Sequence, residues 1–169
     1  MTSTASDAIH LDFPFSLLDR IWAAFVLIPQ RKLNIVIHSV IPLIGIGIFV
    51  ALVLGGRAID LQAWIVIVSC LLFTPLITVL AVLINYATNS TFRGRFTYTF
   101  DAVGIHVQAA TYQYTNPWSA IFKVKSIGGF LLFFIAPGVA HCIPLKAVYA
   151  ARQYDALLLL ACNNGVQSA

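Results

Sequence analysis

Apolar residues along this chain fall into runs whose period changes from segment to segment, and each change marks an element. His10-Leu11-Asp12-Phe13-Pro14-Phe15 alternates like a short extended piece. From Leu17 the spacing turns helical. Leu17, Leu18, Ile21, Trp22, Phe25 and Ile28 recur at helical intervals, with Ser16 placed as a cap and Pro29 as a stop. An apolar face with a basic end suits a helix lying in a membrane interface, or one packed on a neighbouring domain.

Two long uncharged runs follow. Leu33 to Leu54 spans 22 residues; at about 1.5 Å per residue it reaches roughly 33 Å, enough for a hydrocarbon core of about 30 Å. The second run extends from Leu61 to Tyr86 and is densest from Ala63 to Ile84. Spans are therefore expected at about 33–54 and 63–86, joined by the short connection from Gly55 to Asp60. Pro42 and Pro75 would break soluble helices, but spanning helices tolerate proline where a neighbour satisfies the freed carbonyl.

After the second run the period becomes two. Phe96, Tyr98 and Phe100 alternate with Arg95, Thr97 and Thr99, and Asp101–Gly104 makes a turn. Ile105, Val107 and Ala109 then alternate with His106 and Gln108. Asn116-Pro117 marks a further turn before Trp118. Phe122 and Val124 alternate with Lys123 and Lys125 as far as Gly128-Gly129. The apolar runs Phe130–Ile135 and Val139–Ile143 are separated by Ala136-Pro137-Gly138. A helix is expected over about 145–162, with Asn163-Asn164-Gly165 as its stop. Hydropathy alone would also accept residues 127–145 as a third span. Two glycines, an interior Pro-Gly and His141 favour a strand pair there.

Composition sharpens this picture. The chain of 169 residues is 60% apolar and 9% charged, well below the roughly 25% of soluble domains, so lipid has to replace water over part of its surface. Arg20, Arg31, Lys32, Arg93 and Arg95 flank the outer ends of the two runs, whereas the connecting loop offers Arg57 alone. By the positive-inside rule both termini are cytoplasmic, with Trp22, Trp64 and Tyr86 as interfacial anchors. The N-terminus carries Asp7, Asp12 and Asp19 rather than the basic start of a signal peptide. The expected organisation is an N-terminal strand and helix (1–32), a transmembrane hairpin (33–86) and a cytoplasmic β domain (93–169).

Candidate chemistry is sparse. Gly47, Ala51 and Gly55 form a small-residue stripe, and Cys70, Thr74 and Thr78 repeat its spacing on the second span. The two stripes are expected to face each other, with homodimerisation through the glycines as the rival. Asn34, His38 and Asn85 are expected to share the cytoplasmic leaflet, either as an interhelical hydrogen-bond cluster or as a proton-sensitive site. Cys70, Cys142 and Cys162 lack metal, redox or disulfide spacing. The six carboxylates are all Asp, and no two have acid/base spacing; His106 and His141 have no carboxylate or cysteine at ligand spacing. Ser119 lacks a nucleophile elbow, and Gly128-Gly129 is a turn rather than a phosphate loop. No catalytic, metal or cofactor site is expected, and the basic residues are too scattered for nucleic acid.

The order of parts carries a resemblance. A short strand and helix, two spans, then Phe96-Thr97-Tyr98-Thr99-Phe100, Gly104-Ile105, Trp118-Ser119-Ala120-Ile121 and Ile143-Pro144-Leu145-Lys146-Ala147 resemble the bacterial YcxB-like family. Leu145-Lys146 stands where the family has a basic pair, and Val148 where it has an aromatic. The resemblance implies a membrane α+β protein, a two-helix transmembrane hairpin plus a small antiparallel, pleckstrin-like cytoplasmic sheet with a C-terminal helix. It supplies no activity and no catalytic residues.

The reading that results is a membrane-anchored interaction or adaptor protein of the bacterial inner membrane, not an enzyme. Its partners would be membrane lipid, another protein and, as a homo-oligomer, itself. Arg31, Lys32, Arg93, Arg95, Lys123 and Lys125 are candidates for headgroup or partner contact, together with Lys146 and Arg152; each is worth about 1 kcal/mol near an anionic surface. Two alternatives stand beside it: an immunity protein that binds a membrane-targeting toxin, and a subunit of an oligomeric channel or transporter. A reporter fused after Ala169 should show cytoplasmic activity. Periplasmic activity would require a third span.

Overall fold

The computed structural model describes residues 8–30, 32–56 and 58–168. Asp7, Arg31 and Arg57, which enter the charge argument, lie outside the described residues. Strand β1 (Ile9–Pro14) leads into helix α1 (Leu17–Leu27) and a 3-10 turn at Ile28–Gln30. The long helices α2 (Lys32–Leu54) and α3 (Leu61–Thr88) form a hairpin. Both are long and apolar enough to cross a membrane, and only 6% of each apolar window is buried.

Pro42 lacks the N–H that would bond the carbonyl of His38. Thr74 of α3 supplies a donor instead, its hydroxyl lying 3.4 Å from His38 O. One turn further on, Gly45 is buried where α3 comes closest: a Cβ there would stand 2.8 Å from Cys70 Cβ and 3.3 Å from Ile67 O. The seam therefore runs through His38 and Gly45 against Ile67, Cys70 and Thr74. The expected partner stripe is displaced. Gly47, Ala51 and Gly55 lie on the exposed side of α2, and a Cβ on Gly47 would meet nothing within 4 Å. Gly45 and Gly47 differ by two positions, a rotation of about 200°, so only one of them can face α3.

The remaining strands build two sheets. Strands β2 (Arg95–Phe100), β3 (Gly104–Gln108) and β4 (Gln113–Pro117) extend β1 into an antiparallel sheet of order β1-β2-β3-β4. After a 3-10 turn at Trp118–Ala120 come β5 (Lys123–Ile127), β6 (Phe130–Ala136) and β7 (Val139–Pro144), then α4 (Leu145–Ala150), α5 (Tyr154–Asn163) and β8 (Gln167–Ser168). Their sheet has the order β7-β6-β5-β8, antiparallel except where β5 meets β8. Residues 127–145 thus hold a strand pair and its turns. The inner faces of both sheets share one core, in which Phe100 and Phe133 lie 5.5 Å apart between ring centroids.

Three details depart from the expected layout. β1 is not separate from the β domain: it pairs with β2 from Ile9↔Phe100 to Pro14↔Arg95 and buries Ile9, Leu11 and Phe13. The hairpin is therefore inserted within the sheet domain's sequence. β4 has no buried apolar residue, so the chain carries no period-two hydrophobic signal there, and backbone pairing with β3 makes it a strand. The expected helix over 145–162 is two helices, broken at Arg152 with φ 55°. Val148 and Leu157 both reach the core. On one straight helix they would stand about two and a half turns apart, on opposite faces.

Gly45→Val should destabilise the hairpin by about 1–3 kcal/mol through overpacking, whereas Gly47→Val should be close to neutral. Thermal unfolding of the two variants in detergent separates the seam from the exposed stripe.

Candidate functional site

β6 is apolar at every position from Phe130 to Phe134 because both its faces are covered. Leu131 and Phe133 enter the core between the sheets; Phe130, Leu132 and Phe134 point the other way, onto Ala23, Val26 and Leu27 of α1. Each of these large side chains is worth about 1.5–3 kcal/mol when buried, as an upper estimate. That outweighs the roughly 1 kcal/mol of a single hydrogen bond. Trp22 Nε1 nevertheless fixes the register, donating to Gly128 O at 2.7 Å. Gly128 has φ +58°, and a Cβ there would collide with Val26, so the turn admits α1 only as glycine.

The start of α1 is held as firmly. Ser16 and Asp19 make a reciprocal capping box. Asp19 also accepts from Lys146 Nζ at 2.8 Å, which ties α1 to α4. Burial raises the Asp19 carboxyl, but the hydrogen bonds from Lys146 and Ser16 prevail and leave it below the usual range.

With one side on the sheet, α1 packs its other side on α3. A cavity of about 380 Å³ remains where α1, the end of α3 and the rim of the sandwich meet. α1 contributes Arg20, Ala24 and Leu27; α3 contributes Val82 and Asn85; the sheets contribute Phe96, Tyr98, Tyr112, Tyr114, His141 and Cys142. Arg20 is only 9% exposed. Its guanidinium carbon lies 4.9 Å from the centre of the Phe15 ring and 5.4 Å from that of Phe96, both cation–π distances. Burial lowers its pKa from the ordinary guanidinium value, with partial compensation from Tyr86, Tyr112, Tyr98 and Asp19, and a guanidinium stays charged at neutral pH.

Cys142, Tyr98, Tyr114 and His141 of the cavity are neutral at that pH. Burial pushes the Cys142 thiol up to about 12 and raises the phenol of Tyr98. Burial, and then the neighbouring Tyr112, raises Tyr114. His141 is buried, and its pKa falls to about 4. Its ring meets Tyr98 edge-on at 5.8 Å and stacks on Tyr114 at 5.9 Å. Its Nε2 accepts from the amide of Asn116 at 2.6 Å, a bond that joins β7 to β4 and hence one sheet to the other. The cavity is an apolar and aromatic chamber carrying one cation.

A second polar group lies on the open face of the first sheet. His106 Nε2 meets Asp101 Oδ2 at 2.8 Å, and its Nδ1 meets Thr115 Oγ1 at 2.7 Å. His106 was expected to have no carboxylate at ligand spacing, but the β2–β3 turn folds Asp101, five residues before it, onto its ring, and the β3–β4 register adds Thr115. Burial raises Asp101, but the N–H groups of Val103 and Gly104 and the His106 contact hold it below its ordinary value. The same histidine–threonine bond recurs one strand pair away, between His10 Nδ1 and Thr99 Oγ1 at 2.9 Å. Thr99 lies opposite His106 in the strand register, so the row His10–Thr99–His106–Thr115 sets two hydrogen-bonded cross-strand pairs side by side.

Residues 100–161 match the family model for YcxB-like protein. The sheet domain is YcxB-like. No curated protein and no solved structure matches the chain. The matched segment contains Tyr112, Tyr114, His141 and Cys142 of the cavity, but not Tyr98, Arg20 or the α3 wall.

The residues singled out from the sequence are dispersed around this YcxB-like domain. Asn34 and His38 meet within one turn, His38 Nδ1 on Asn34 O at 2.8 Å, while Asn85 donates to its own helix at Ala81 O, 2.9 Å away, and lines the cavity. The expected three-residue cluster is therefore not assembled. Thr74 reaches across to α2, as above, and Thr78 bonds back to Thr74 O. Arg95 pairs with Asp12 at 2.9 Å and Lys146 with Asp19, so neither presents a lone charge. Lys32 and Arg93 are exposed, and Lys123 and Lys125 are half-buried along β5 on the face of Phe134 and Leu132. Arg20, counted only as a flanking charge, and Tyr112 and Tyr114 on an edge with no buried face, are what sequence reasoning missed. The Tyr-x-Tyr spacing was the available signal. Among the described residues, no group of three or more His, Cys, Asp or Glu could hold a metal ion.

The drop of His141 from 6.5 to about 4 fixes the sign of a pH effect. Between those values the unfolded chain binds a proton that the folded chain resists. The contribution of His141 is thus complete above pH 6.5 and is lost as pH falls towards 4, by about 3 kcal/mol at about 1.4 kcal/mol per pH unit. Unfolding free energies measured across that window should decline in the native chain and flatten in His141→Gln. The lowered Asp19 and Asp101 act only below it, near and under pH 4.

Proposed function

We propose that the chain is a membrane-anchored interaction protein without catalytic activity. In this reading α2 and α3 cross the bacterial inner membrane with both outer ends cytoplasmic, and the YcxB-like, pleckstrin-like domain stands at the inner face as a binding platform. The supporting observation is the exposure of the hairpin. Leu43, Ile44, Leu72, Phe73 and Leu76 are among the large apolar side chains that α2 and α3 leave uncovered. A buried core helix of a soluble protein would have its apolar window covered, and here 6% is. Lipid is the solvent that such a surface requires.

The wedge of α1 adds the second half of the reading. Because α1 is packed at once on α3 and on β6, the sheet domain is held against one end of the hairpin rather than tethered by a loose linker. The Asp101–His106–Thr115 group belongs to a row of cross-strand pairs on an open face, which suits a recognition surface better than a reactive centre.

Membranes washed with alkaline carbonate should retain the full chain, and a photo-crosslinker placed at Thr97 on that open face should capture one discrete protein in cells. Release into the wash would remove the anchor. Adducts to lipid alone, or none, would remove the protein partner.

A further inference from the structure

We propose that the cavity between α1, the end of α3 and the rim of the sandwich binds an acyl-chain amphiphile by its anionic head, with Arg20 receiving the head and Ala24, Leu27 and Val82 facing the chain.

The wall chemistry selects this class of ligand. A space of about 380 Å³ falls within the range of small-molecule sites, which combine an apolar lining with a few placed polar groups. A small inorganic anion would meet Arg20 but leave the aromatic and aliphatic wall unfilled. A wholly apolar molecule would fill the wall while setting hydrocarbon against a guanidinium, at a cost in desolvation. An anion carried on an acyl chain satisfies both surfaces. The phenols of Tyr112 and Tyr114, in the same lining, add hydrogen-bond donors. Both are more than 40% exposed, and Asn85 is exposed on α3, so the chamber can be reached from outside.

Charge argues for the same ligand. Arg20 is the charged side chain of the lining, since His141 and Cys142 are neutral at pH 7. An attraction between opposite charges is several-fold stronger there than in water. The identity of the source rests on the anchoring reading above: Val82 and Asn85 are on the end of α3 nearest the sheet domain, which in a membrane is headgroup depth. A phospholipid of the inner leaflet and a free fatty acid share the required chemistry.

The test uses the full chain, delipidated in a non-ionic detergent and titrated separately with oleate, phosphatidylglycerol, phosphatidylcholine and inorganic phosphate, with native mass spectrometry and thermal stability as readouts. One equivalent of an anionic amphiphile should be retained, and phosphate alone should not be. Retention of phosphatidylglycerol over oleate identifies the bilayer as source, and the reverse identifies free acid; either supports the site. Arg20→Gln should weaken retention about tenfold or more, as for loss of a hydrogen bond to a charged group. Ala24→Phe keeps the charge but fills the chamber, and should weaken it similarly. It also decides the matter if Arg20→Gln fails to fold. Equal retention of phosphatidylglycerol and phosphatidylcholine, or full retention in a folded Ala24→Phe, would overturn the proposal. If the chain is recovered without detergent, the anchor fails but the oleate titration still reads the cavity.

Discussion

Helix α1 has to cover apolar surface on two sides at once, and the rest of the structure is arranged around that requirement. β6 presents Phe130, Leu132 and Phe134 away from the core between the sheets, and α1 covers them together with Phe15 and Phe122. α3 in turn gains its contact with the sheet domain through α1. If α1 were lifted, the outer face of β6 would lose much of its cover and the hairpin would lose its packing through α1 onto the domain. The polar contacts at its ends, the Ser16–Asp19 box, the Lys146 pair and Trp22 on Gly128, set position rather than supply the main free energy.

The same geometry creates the cavity. Helices and sheets meeting at an angle cannot fill every corner, and here the corner holds a guanidinium between two phenylalanine rings. A charge in such a place is costly to desolvate, and cation–π attraction offsets part of that cost. His141 takes the opposite solution. It stays neutral, and its acceptor nitrogen serves the amide of Asn116, linking the sheets at the rim. The chamber carries one positive charge at neutral pH, because burial holds His141 in its neutral form.

The hairpin shows how small displacements decide packing. Pro42 opens a carbonyl, Thr74 closes it, and Gly45 lets α3 approach at that level. Gly47 belongs to the more regular small-residue stripe, yet it lies on the exposed side of α2. Regular spacing identifies a face of a helix; it does not say which face meets the neighbour.

From the sequence alone one could read the two long apolar helices, the capped helix before them, the β2–β3 hairpin and the breakers between β6 and β7, because each is set by a local period or a residue that restricts its own backbone. The family resemblance was legible too, in short motifs spread along the same elements. Pairing across long separations was not. That β1 joins β2, that the C-terminal helix breaks at Arg152 and that Arg20 shares a chamber with Tyr112, Tyr114 and His141 all depend on how faces are covered once the elements meet. Periodicity records which residues leave water. Only tertiary packing decides what they leave it for.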